Sequence, residues 1–90
     1  MAATTVYNGD LVTLGNTTET TILVAGRETD LDKTFYSILV VSGTLKVGQG
    51  ALSANAYAFP ANSKIPISCK NGQLVVKQGS NSDTWAITAN

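Results

Sequence analysis

Histidine is absent from this 90-residue chain, which also has only one cysteine, Cys69, and two prolines. Without histidine the chain has no Ser-His or Cys-His pair, and it lacks the commonest metal ligand of proteins. A single cysteine forms neither an intrachain disulfide nor a multi-cysteine metal site. We therefore expect a protein that is not an enzyme and has no cofactor or metal. Oligomerisation is then the usual remaining source of extra stability for so small a domain.

Charge is scarce as well, because six basic and six acidic residues balance and together make up 13% of the chain. The sequence has no run of one sign, whereas binding to nucleic acid or to a membrane surface depends on clustered Lys and Arg. We predict no nucleic-acid partner and no membrane partner. The first ten residues, MAATTVYNGD, contain no basic segment followed by an apolar run, so we expect neither an export signal nor a membrane span.

Long helical patterns are missing, and short β-type segments separated by turn residues take their place. The predicted strands cover residues 4–7, 10–14, 20–25, 35–42, 44–49, 64–70, 73–78 and 84–89. Strands of this length and spacing predict an all-β fold, a small antiparallel β-sandwich or a jelly-roll-like barrel. We expect a single β domain over residues 1–90, with residues 1–4 as a flexible N-terminal arm.

The segment ISCKNGQLVVK, residues 67–77, predicts a β-hairpin. Asn71-Gly72 suits a type I′ turn, which needs positive φ at both central residues. This turn would place Cys69 opposite Leu74 on an apolar face, so we expect the cysteine to be buried and unreactive. Pro66 has no amide hydrogen for a sheet ladder, which predicts an edge strand at this point.

The segment FYSILVVSG, beginning at residue 35, is apolar on both faces of a strand. One face would carry Phe35, Leu39 and Val41, and the other would carry Tyr36, Ile38 and Val40. A small sandwich has one interior, so the second face needs a cover, either the long connection 50–62 or a neighbouring subunit. We predict the subunit, with a homo-oligomer interface formed by Tyr36, Ile38 and Val40.

Two further motifs have a functional and a structural interpretation. Glu28, Asp30 and Asp32 alternate in RETDLDK and carry the oxygen ligands that Ca²⁺ prefers. They lack the glycine and the closing glutamate of a helical calcium loop, so we predict a solvated loop with local ion pairs. Trp85 would stack on a sugar if it were exposed, but it alternates with Ile87 on an apolar face, which predicts a core position.

The segments VVSGTLKVGQG and KIPISCKNGQLVVKQGSNSDTWAITAN are rich in Thr, Asn, Ala, Ser and Gly within a strand-and-turn pattern. In this composition and strand-and-turn pattern, about half of the chain is similar to head-decoration and fibre-associated β domains of tailed phages. The resemblance implies a β-sandwich that assembles, often as a trimer, and binds a lattice of capsid or tail subunits.

This resemblance leads to two functional expectations. The first is a non-enzymatic virion protein, assembled in the host cytoplasm, that decorates and reinforces the capsid. Its partners would be further copies of itself, with a trimer favoured, and virion structural proteins such as the major capsid protein. The alternative is a receptor- or glycan-binding module of a phage fibre or tail.

Overall fold

The structure, a computed structural model, describes residues 4–25, 35–69 and 73–89. Its strands are β1 (Thr4–Val6), β2 (Leu11–Val12), β3 (Thr20–Val24), β4 (Phe35–Ser42), β5 (Thr44–Gly48), β6 (Phe59–Pro60), β7 (Lys64–Ser68), β8 (Gln73–Gln78) and β9 (Thr84–Ala89). Sheet A has the strand order β1-β3-β8-β5-β6, and sheet B has the order β2-β9-β4-β7. The all-β prediction is confirmed, and the architecture is that of a small sandwich. No helix in the described part of the chain is long and apolar enough to cross a membrane.

The core lies between the two sheets and is built by alternate residues of their strands. Its largest fully buried side chains include Trp85 and Ile87 from β9, as predicted for this strand. Cys69 is also fully buried and is free, which confirms the predicted burial. The other buried apolar residues are Val6, Ile22, Val24, Tyr36, Ile38, Val40, Leu45, Ile65, Leu74, Val75 and Val76.

Most connections carry the chain from one sheet to the other. The sharpest is the corner between β4 in sheet B and β5 in sheet A, which are separated by Gly43 alone. Gly43 has a φ of 75°, in the left-handed region that glycine enters without steric cost. The break between the predicted strands 35–42 and 44–49 is therefore a corner of the sandwich.

The β-hairpin predicted from residues 67–77 is wrong in its pairing. β7 pairs with β4 in sheet B, whereas β8 pairs with β3 and β5 in sheet A. Cys69 and Leu74 are both buried, but they face the core from the two ends of a crossover. Asn71-Gly72 lies outside the described residues. The edge prediction from Pro66 is confirmed, because β7 is the last strand of sheet B.

The N-terminal strand confirms the strand predicted at residues 4–7, but its parallel pairing and the short strand in the long connection were not predicted. Thr4, assigned to a flexible arm, begins β1 and lies opposite Ile22 in a parallel pair with β3, while residues 1–3 lie outside the described range. Phe59 in the long connection forms the short β6 opposite Leu45 and packs against the core. The ring of Tyr57 meets that of Phe59 edge to face, with centroids 4.9 Å apart.

Candidate functional site

The predicted interface residues of β4 lie in the protein's own core. Tyr36 and Ile38 are 0% exposed and Val40 is 1% exposed. Ile38 is flanked by Ile65 of β7 and Ile87 of β9, which are also buried. The prediction that Tyr36, Ile38 and Val40 form an oligomer interface is therefore wrong. The two-residue period separates the faces of a strand, but on a strand with two apolar faces it does not say which one is inside.

The other face of β4 is the one left open. Phe35 is 57% exposed, Leu39 is 44% exposed and Val41 is 43% exposed. Leu11 on β2, at the far edge of the same sheet, is 66% exposed. Four of the six large apolar side chains that are exposed in the described residues thus belong to sheet B, the others being Tyr7 and Tyr57. Clustered exposed apolar groups are typical of a surface that contacts another molecule.

The strand register joins these residues into one surface. Leu11, Ala86 and Leu39 are direct neighbours across β2, β9 and β4, and Leu39 is followed by Lys64 on β7. Hydroxyl-bearing residues lie beside this row: Ser37 pairs with Thr88 on one side. We call this surface, made by Leu11, Phe35, Leu39, Lys64, Pro66 and Ala86, the outer face of sheet B. Lys64 is the only charged residue in the four strands as described.

The other sequence motifs do not form a ligand site within the described residues. Glu28, Asp30 and Asp32 lie outside them, and no group of three His, Cys, Asp or Glu residues within them is arranged to hold a metal ion. Trp85 is fully buried, which confirms its predicted core position. Its ring therefore has no free face on which a sugar could stack.

A buried amide holds Trp85 in place. The Oε1 atom of Gln78 accepts hydrogen bonds from the indole Nε1 of Trp85 at 3.0 Å and from the backbone amide of Leu14 at 2.9 Å. Its Nε2 atom donates to the carbonyl of Ser80 at 3.1 Å. A buried side-chain amide is stable only when its polar atoms are paired in this way. Gln78 therefore ties the loop after β2 to the end of the sandwich.

At the same end of the sandwich, the Asp83 carboxylate links two connections between the sheets by hydrogen bonds, the one from β4 to β5 and the one from β8 to β9. Its Oδ2 atom accepts from the backbone amides of Thr44 at 3.1 Å and Ser80 at 2.9 Å, and its Oδ1 atom accepts from the Ser80 hydroxyl at 2.6 Å. The carboxylate occupies the space that a Cβ on Gly43 would need. This arrangement explains both the glycine and the acid as structural residues.

These hydrogen bonds make stability depend on pH. The Ser80 hydroxyl first, and then the Thr44 amide, lower the pKa of Asp83 against the opposing effect of burial. A carboxylate with a lowered folded-state pKa contributes stability above its unfolded pKa and loses it as the pH falls through the folded value. We expect Asp83→Asn to reduce the melting temperature at neutral pH and to flatten its decline toward about pH 3, below the ordinary Asp pKa of about 3.9.

Thermal melts by circular dichroism across this pH range test the role of Asp83. Glu19→Gln is the matched control, since it removes an exposed carboxylate that has no hydrogen-bond partner in the described residues. Equal pH profiles for Asp83→Asn and the wild type would show that Asp83 does not fasten the corner.

Sheet A carries a polar cavity on its outer side. The cavity has a volume of about 320 Å³ and is lined by Thr17, Thr44, Lys46, Lys77, Gln78 and Gly79. Lys46 on β5 and Lys77 on β8 lie directly opposite each other in the ladder. The sequence did not predict this pair, because the two lysines are far apart along the chain and only the pairing of β5 with β8 brings them together.

Two surfaces of the described residues are the leading candidates for binding, one on each sheet. The outer face of sheet B is apolar with hydroxyl groups beside it, and the cavity on sheet A is polar and cationic. No protein-family model, curated protein or solved structure matches this chain.

Proposed function

We propose that the chain is a non-enzymatic structural protein of a virion, a decoration protein that binds the assembled shell and reinforces it. The contact is made by the outer face of sheet B against a shell subunit. One observation carries the proposal: a row of apolar side chains, Leu11, Ala86 and Leu39, crosses sheet B and faces away from the core.

The chemistry of this face suits a protein partner. Apolar side chains at the centre with hydroxyl groups around them are typical of protein–protein contacts, which have an apolar core and a polar rim. Lys64 at the β7 edge is the single charge on these strands, so the complementary surface needs an apolar centre and an acidic group at one side. Many copies of such a contact on one shell would add their effects through multivalency.

Receptor or glycan binding is the second candidate, and the cavity on sheet A favours it. A polar concavity with two hydroxyl-bearing threonines and two lysines offers donors to sugar hydroxyl or acidic groups. Such a module would bind host cells or glycans in the absence of the shell.

The test is co-sedimentation of the purified protein with expanded shells of the virus that encodes it, followed by heating of decorated and bare shells. We expect saturable binding and a higher temperature of shell disruption, because a ligand that binds the assembled state stabilises it. Failure to bind shells, together with retention on host cells or glycans, would overturn the decoration proposal and favour the second candidate.

Two variants locate the contact. Leu39→Lys places a charge at the centre of the outer face of sheet B, and we expect at least a tenfold loss of shell affinity, since burying an unpaired charge costs about 2 kcal/mol or more. Thr21→Lys adds the same charge on the exposed side of sheet A and is the matched control. Equal losses for both variants would place the contact elsewhere.

Self-assembly through the same face is the competing outcome, and light scattering separates it from shell binding. The trimer implied by the phage resemblance stays a prediction. If the protein forms a homo-oligomer that Leu39→Lys dissociates, a second copy covers the outer face of sheet B and the shell contact must use another surface.

A further inference from the structure

We infer that the cavity on sheet A is a binding site for an oxyanion, a carboxylate, sulfate or phosphate group, held between Lys46 and Lys77. This inference does not depend on the proposed decoration function, because it concerns the opposite sheet. It begins from the register of β5 and β8, which places the two lysines directly across from each other.

This pairing brings two positive charges together. Directly opposed residues of antiparallel strands have Cβ atoms about 5 Å apart, and like charges at such positions destabilise the sheet. Two of the six basic residues of the chain are used in this one pair. Lys46 is only half-exposed, which weakens the screening of its charge by water.

No acidic side chain of the described residues relieves this repulsion. Asp83 lies near the Thr44 and Gly79 end of the cavity, but its oxygens accept hydrogen bonds from Thr44 and Ser80, and it forms no ion pair with either lysine. Glu19, which directly precedes β3, forms none either. A negative group from outside would therefore find two ammonium groups without a carboxylate partner in the described chain.

The cavity surrounds this pair with further polar groups. Thr17 and Thr44 bring hydroxyl-bearing side chains, and its volume of about 320 Å³ lies at the lower end of the range of small-ligand sites. Gly79 lines the cavity without a side chain, and a Cβ at this position would overlap the Oγ1 atom of Thr44. The space exceeds what a bare ion requires, so an acidic group carried on a monosaccharide fits the same chemistry as a free ion.

The experiment is a titration of the ¹⁵N-labelled protein, followed by NMR, with sodium sulfate, glucuronate or glucose, each against sodium chloride at equal ionic strength. We expect saturable shifts at residues of β5 and β8 with sulfate and glucuronate at millimolar concentrations, and none with glucose. Tighter binding of sulfate would indicate a site for a free ion, whereas tighter binding of glucuronate would indicate a site for an acidic sugar. Shifts no larger than those from chloride, or equal binding of glucose and glucuronate, would overturn the inference.

Variants test the two lysines separately from the fold. Lys46→Gln and Lys77→Gln should each weaken binding about tenfold, because each removes one charged hydrogen-bond donor from the anion. Lys64→Gln removes a lysine from sheet B and should leave the affinity unchanged. An equal loss with Lys64→Gln would mean that net charge, and not the cavity, attracts the anion.

Lys77→Glu provides a readout that a loss of folding cannot imitate. It replaces a like-charge pair by an opposite-charge pair, so we expect a higher melting temperature at low salt together with loss of anion binding. A variant that is more stable and still binds sulfate as the wild type does would exclude Lys77 from the site.

Discussion

Ile38→Lys is expected to unfold the protein, whereas Leu39→Lys, one residue further along β4, is expected to leave it folded. Ile38 is 0% exposed and lies between Ile65 and Ile87, so a lysine there would bury an unpaired charge in the core. The cost of several kcal/mol is comparable to the whole stability of a small domain, which is about 5 to 15 kcal/mol. Leu39 is 44% exposed on the outer face of sheet B, where an ammonium group stays in water.

Circular dichroism and thermal melts of the two variants measure this contrast. Ile38→Val is the conservative control and should cost about 0.5 to 1.5 kcal/mol. A folded Ile38→Lys variant that loses self-association would reverse the assignment of the two faces of β4 and restore Tyr36, Ile38 and Val40 as interface residues. Loss of folding in Leu39→Lys would show that the outer face is covered within the chain.

Gly43→Ala is expected to have the second large effect, a loss of about 3 to 5 kcal/mol. A left-handed backbone costs a residue with a side chain about 1 to 2 kcal/mol, and the new Cβ would overlap the carboxylate of Asp83. Moving that carboxylate weakens its hydrogen bonds with Thr44 and Ser80, each worth about 1.5 kcal/mol or more.

Gly15→Ala is the matched control for Gly43→Ala. Gly15 has a φ of 78°, close to that of Gly43, but its added Cβ would meet nothing within 4 Å. Urea unfolding of both variants separates the backbone cost, which they share, from the overlap with Asp83. In an Asp83→Ala background the cost of Gly43→Ala should fall, because the two residues are in contact and their effects are not additive. Equal losses at Gly15 and Gly43 would show that the carboxylate does not fill the corner.

The sequence by itself determined the position of every described strand except the short β6, and in most of them it determined which residues are buried. The two-residue alternation of residues 84–89 placed Trp85 and Ile87 in the core. The burial of Cys69 was also predicted correctly, although from a hairpin register whose pairing was wrong. Pro66 was enough to predict an edge strand, because the missing amide hydrogen is a local property. These conclusions hold because strand period and backbone chemistry act over a few residues.

Only the tertiary structure decided which strands are partners and which face of β4 is inside. Cys69 and Leu74 are buried whether their strands pair in a hairpin or face each other from two sheets, so the alternation alone did not distinguish the two arrangements. A strand with two apolar faces fits the core in either orientation, and the choice depends on β7 and β9, whose Ile65 and Ile87 flank Ile38. The Lys46–Lys77 pair has the same origin, since strand pairing between distant segments is a property of the assembled sheet and is not encoded in either segment alone.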